Sequence, residues 1–111
     1  MTGHLIGEKE LIESVGHLEV AVLRRWIDLG WVLPHQDGES LRFDASDVAR
    51  VRLICELHYE LRIEEDSLSV VLSLLDQLYA ERCRLRALLS AVAAQPEAVR
   101  ASIAARVKAQ G

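Results

Sequence analysis

The chain has 111 residues, half of them apolar, with 17 acidic and 13 basic side chains and a net charge of −4. That is enough for one domain with an added helical arm and a modest core that needs no metal or disulfide staple. The composition excludes a disordered chain and a coat for nucleic acid, and the acidity is uneven: residues 1–50 carry nine acidic and five basic groups, residues 51–111 eight of each, so long-range electrostatics favour a basic partner over a phosphate backbone.

In chain order, Leu5, Ile6, Leu11, Ile12 and Val15 recur at helical spacing and predict a short helix over about residues 7–15, closed by Gly16. A second helix follows at once, with Leu18, Val22, Leu23, Trp26, Ile27 and Leu29 on one face and Gly30 at its end. Two short helices joined by a tight glycine turn outline a helix-turn-helix. Two β-compatible runs, Trp31 to Leu33 and Leu41 to Phe43, then flank Gln36-Asp37-Gly38-Glu39. This predicts a hairpin wing, with Pro34 stopping its first strand.

Asp44, three residues before Asp47, is placed to cap a third helix whose face is Val48, Val51, Ile54, Cys55, His58 and Leu61. Glu64-Glu65-Asp66-Ser67 suits the start of a long helix. Along it Leu68, Val71, Leu75, Leu78, Arg82, Leu85, Leu89 and Val92 alternate spacings of three and four, the pattern of a coiled-coil seam broken only at Arg82. After Gln95-Pro96 a last short helix is expected, with Pro96 in its first turn and Val99, Ile103 and Val107 along one side. The expected organisation is a winged helix-turn-helix domain over residues 1–66 and a long helix plus a short terminal helix over 67–111.

The residues that could carry chemistry are sparse. No nucleophile elbow, phosphate loop or dinucleotide fingerprint is present, so the chain does not read as an enzyme. Cys55 and His58, at i and i+3, are too few for a closed zinc site, and no metal or other cofactor is expected. Cys55 and Cys83 fit no redox motif and read as small apolar fillers in a cytoplasmic protein without a membrane segment. Arg24 and Arg25 on the second helix and Arg42 on the wing form a possible DNA footprint, set among repelling carboxylates such as Glu19 and Asp28. DNA binding by such a domain is expected to be weak or absent.

The phrases LRRWIDLGWVLP (Leu23 to Pro34), FDASDVARVRLICELHYEL (Phe43 to Leu61) and SVVLSLLDQLYAERCRLRALLSAVAAQP (Ser69 to Pro96) resemble the MerR-type winged helix-turn-helix, and within it the chaperone-modulator proteins of the CbpM type. The resemblance implies a mainly α fold with a small β-hairpin wing and a long C-terminal helical arm. DNA-binding relatives usually carry Arg-aromatic-aromatic-Glu on the recognition helix and a basic, Tyr-bearing wing. Here Arg24-Arg25-Trp26-Ile27 and Leu41-Arg42-Phe43 stand in those places, which dilutes the DNA-reading chemistry.

The resemblance further implies a cytoplasmic modulator that binds the J-domain of a CbpA-type DnaJ-like co-chaperone and blocks its stimulation of DnaK. A competitor for the basic J-domain helix should offer acidic groups around an apolar centre. Candidate contacts are Asp28, Glu56, Glu60, Glu64, Glu65 and Asp66, with a homodimer through Leu75, Leu78, Arg82, Leu85 and Leu89.

Overall fold

The computed structural model describes residues 4–111. Its elements are β1 (Ile6–Gly7), α1 (Glu8–Val15), α2 (Val20–Asp28), β2 (His35–Asp37), β3 (Ser40–Phe43), α3 (Ala45–Cys55), a π-helical turn (Glu56–Glu60), α4 (Glu65–Ala93) and α5 (Glu97–Gln110). The fold is mainly helical with a small antiparallel sheet and a long C-terminal helix, the winged helix-turn-helix class expected from the sequence.

The two glycines end the first helices with positive φ, although Gly16, at ψ 172°, lies outside the left-handed helical region expected of it. Gly16 takes φ +74° and donates its N–H to the Ile12 carbonyl. At the exit of α2, Gly30 (φ +80°) donates to the Ile27 carbonyl and Trp31 to that of Trp26, both at 3.0 Å. This is the Schellman arrangement, which satisfies two carbonyls that the helix end would leave orphaned. Its customary apolar contact is made here by two indoles: the Trp26 and Trp31 rings lie 6.5 Å apart at 34°.

Past that turn the chain departs from the sequence reading. The first wing strand is His35–Asp37, not Trp31 to Leu33, because Trp31 and Val32 are buried in the core and leave the ladder to the polar residues beyond Pro34. Pro34, lacking an N–H, therefore precedes the strand and does not stop it. Asp37 pairs with Ser40 across the two-residue loop Gly38-Glu39. Gly38 supplies the positive φ (+64°) that a hairpin turn needs at its first central position.

A further strand, β1, has no sequence signal because two residues are too few to show a period. Ile6 pairs with Phe43 and Gly7 with Arg42, giving the order β1-β3-β2. Ile6 thus belongs to the sheet and not to the first helical face.

α3 starts with the expected cap. Asp44 accepts from the Asp47 N–H at 2.8 Å while the Asp47 carboxylate accepts from the Asp44 N–H at 3.0 Å, a reciprocal capping box. Val51 and Ile54 are fully buried. Beyond Cys55 the helix widens into the π turn, in which Leu61 N–H reaches back to the Glu56 carbonyl. The extra residue rotates the following side chains, so Leu61, expected on the apolar face, is exposed. Arg62 then takes φ +54° and turns the chain toward α4.

Two compact units divide the chain at Leu72 and Ser73. In the first, Leu11, Leu18, Leu23, Trp26, Phe43, Val51, Ile54, Leu68 and Leu72 belong to one buried cluster. Leu72 lies off the predicted seam, and with Leu68 it forms the i, i+4 pair by which the start of α4 joins the core. The second unit holds the rest of α4 and α5. Pro96 sits at the N-cap of α5 with extended backbone, one residue ahead of the first turn where it was expected.

Two substitutions separate packing from backbone strain. Trp26→Ala should cost about 3–5 kcal/mol through the lost side chain and its cavity. Gly30→Ala should cost about 1–2 kcal/mol from the left-handed backbone alone, since an added Cβ there meets nothing within 4 Å. Urea unfolding with an unchanged m-value is the measurement for both.

Candidate functional site

The helix-turn-helix and wing bring Arg24, Arg25 and Arg42 to the surface as the sequence suggests, and each meets a carboxylate of its own chain. Arg24 Nη2 lies 3.2 Å from Glu8 Oε2 and donates to Oε1 at 3.3 Å. Glu8 Oε2 is buried without a hydrogen-bond partner, so the nearby guanidinium is its charge compensation. Arg25 sets its fork on Glu65, donating from Nε to Oε2 at 2.8 Å and from Nη2 to Oε1. This geometry raises the guanidinium pKa and lowers that of the carboxyl, chiefly through the shared hydrogen bonds. Arg42 Nε stands 3.8 Å from Asp37 Oδ2 across the wing.

Between α1, α2 and the wing lies a small groove of ≈ 320 Å³ whose lining includes Lys9, Arg24 and Arg42 with Glu8 and Glu39. Its cations are interleaved with anions, so it is not a uniformly positive surface for phosphate. All three arginine side chains remain at least 41% exposed.

The acidic candidates fall into separate places. Asp28 is exposed on the last residue of α2. Glu64 and Asp66 are exposed at the start of α4, while Glu65 between them is held by Arg25. Glu56 and Glu60 share the π turn and line one groove of ≈ 480 Å³ with Val15, Cys55 and Tyr59. Sequence reasoning missed that apolar floor. The i, i+4 spacing of Cys55 and Tyr59 could have shown it, had the π turn been foreseen.

Of the seam residues Leu75 is half-buried, Leu78, Leu85 and Leu89 are more than half exposed, and Arg82 is exposed. Cys55 and His58, the pair weighed for a metal, serve the core instead. His58 Nδ1 donates to the Ile63 carbonyl at 3.0 Å and its ring stands edge-on to Trp26. Burial pushes the Cys55 thiol pKa up, which makes it a poor nucleophile.

Where the wing meets α3, His35, Asp44 and Asp47 bring ligand-type atoms within 4.8 Å of one another. Each of the three already engages another of them. Asp44 Oδ1 accepts from Ser46 Oγ and Asp47 N–H, and Asp44 Oδ2 accepts from His35 Nε2 at 2.9 Å. Asp47 Oδ2 holds the Asp44 N–H. The positive end of α3 disfavours a cation at the same place and suits the carboxylates. The cluster is a latch that ties wing strand β2 to the cap of α3.

Its titration has a definite sign. The hydrogen bond to Asp44 raises the His35 pKa, and the hydrogen bonds from His35, the Asp47 N–H and Ser46 hold Asp44 well below the usual carboxylate range. The His35 contribution is full below its unfolded pKa of about 6.5 and is lost as pH rises through the raised folded value. That of Asp44 is present above about pH 4 and is lost as pH falls. Asp47, whose pKa burial raises, works against Asp44 on the acid side. Stability should therefore fall as pH rises above the ordinary His value of about 6.5, and His35→Gln should flatten that slope in urea midpoints and, by removing the first cause of the lowered Asp44 pKa, also shrink the acid limb.

The family model described as "MerR HTH family regulatory protein" matches residues 6–89, from β1 through most of α4. No curated protein matches the chain.

Proposed function

This chain belongs to the MerR HTH regulatory family, and within it we propose a cytoplasmic modulator that binds the J-domain of a CbpA-type DnaJ-like co-chaperone and inhibits its stimulation of DnaK. The observation that carries the reading is the internal pairing of Arg24 with Glu8, Arg25 with Glu65 and Arg42 with Asp37. The side chains that a DNA-binding relative would turn on phosphate are here opposed by carboxylates of the same fold. Meanwhile Asp28, Glu56, Glu60, Glu64 and Asp66 stay exposed to a partner of positive charge. Among the described residues no helix is long and apolar enough to cross a membrane.

The proposal includes a homodimer through α4. Leu78, Leu85 and Leu89 leave an apolar stripe in water that a second copy would cover, with Arg82 setting register as a polar seam residue does. Leu85→Glu should convert the dimer to monomer in sedimentation without loss of helix content by circular dichroism.

Added in excess over the co-chaperone, the protein should return DnaK ATP hydrolysis to its unstimulated rate. Stimulation that persists at saturating concentration rejects the reading. The alternative, a dimeric DNA-binding transcription regulator, draws on the family description and on the convergence of Lys9, Arg24 and Arg42 at one groove. It would use Arg24, Arg25 and Arg42, and predicts steeply salt-dependent shifts of genomic fragments that Arg24→Ala weakens.

A further inference from the structure

The groove beside the π turn backs onto the core through Val15 and Cys55 and opens to solvent at Glu56, Tyr59 and Glu60. Val15, Cys55 and the exposed Tyr59 ring give it an apolar floor, and Glu56 and Glu60 stand on its rim. Burial and the nearby Glu19 push the Tyr59 hydroxyl pKa up, in keeping with a partly desolvated, negative surrounding. Arg52 is the one arginine in the lining, and its Nη2 is drawn aside to donate to Ser14 Oγ at 2.9 Å. The groove therefore presents a half-desolvated apolar strip edged by carboxylates one helical turn apart.

We infer that this groove receives an amphipathic helix of a partner protein, with an apolar anchor laid on Cys55 and Tyr59 and lysine or arginine side chains one turn apart meeting Glu56 and Glu60. The shape favours a helix because Cys55 and Tyr59, at i and i+4, form the kind of ridge that packs against another helix. The charge favours a basic helix because anionic rims around an apolar centre match cationic flanks around an apolar anchor. The π turn creates the site. It carries Glu56, Tyr59 and Glu60 together, and π turns in helices recur at functional positions. This deepens the J-domain reading and rests on it only for the source of the helix.

The test uses the full chain, isotopically labelled, and two probes. One is a purified CbpA-type J-domain. The other is an alanine-rich helical peptide with lysines at i and i+4 and leucines at i+3 and i+7, compared with its glutamate-for-lysine counterpart. Both cationic probes should move the amide resonances of residues 15–19 and 55–60. Glu60→Lys should weaken both by roughly tenfold or more, whereas Glu39→Lys, an equal charge change on the wing turn outside this groove, should not. The glutamate peptide should not bind.

J-domain binding that perturbs other residues, or that survives Glu60→Lys, overturns the inference and leaves the proposed function standing. Absence of J-domain binding together with groove binding by the lysine peptide rejects the J-domain reading and keeps the groove. Silence toward both probes rejects both. If Glu60→Lys alters the sedimentation of the chain alone, the groove is filled by a second copy and the inference fails.

Discussion

The exit from α2 is the constraint on which the first unit depends. A left-handed Gly30 reverses the chain so that two consecutive carbonyl acceptors are satisfied and Trp31 is laid against Trp26. From that point Val32 drops into the core and the chain emerges past Pro34 as a wing strand. Trp26 also receives the edge of the His58 ring. One indole thus connects the recognition helix, the root of the wing and the π turn. The tryptophans hold the fold and do not line a reading surface.

On this frame the surface chemistry has a consistent direction. Arg24 and Arg25 are faced by carboxylates from other helices and Arg42 by Asp37 of its own hairpin, and Glu65 does this from the first turn of α4, where it also suits the helix dipole. Exposed pairs of this kind contribute little to stability. A phosphate would have to compete with an existing partner for each guanidinium. The remaining acids are left in water, and at the π turn two of them border an apolar floor. A basic, partly apolar protein surface is the complement of that arrangement.

Much of the fold was legible because local rules and tertiary demands agree. Gly16 and Gly30 end helices where the apolar periods stop, the Asp44 and Asp47 pair caps α3 in the manner their spacing requires, and Gly38 supplies the positive φ of the hairpin turn. Less of the candidate site was legible. Arg24, Arg25 and Arg42 could be assigned to the right elements, but their partners Glu8, Glu65 and Asp37 lie 16, 40 and 5 positions away, and charge counting only hinted that such partners exist. The groove escaped notice because a π turn leaves no periodic signature: one added residue moved Leu61 into water and set Tyr59 on the same groove as Val15.

By itself the sequence determined the helices, their caps and the presence of a wing, since each follows from side-chain period and turn chemistry acting within a few residues. Only the tertiary structure decided where the wing strand begins, that Ile6 supplies a third strand, that Leu72 joins the core, and which carboxylate answers each arginine. Those outcomes turn on competition for the same buried volume and the same hydrogen-bonding edge. Trp31 and Val32 gain more by entering the core than by extending the ladder, and no local pattern records the shape of the space they fill.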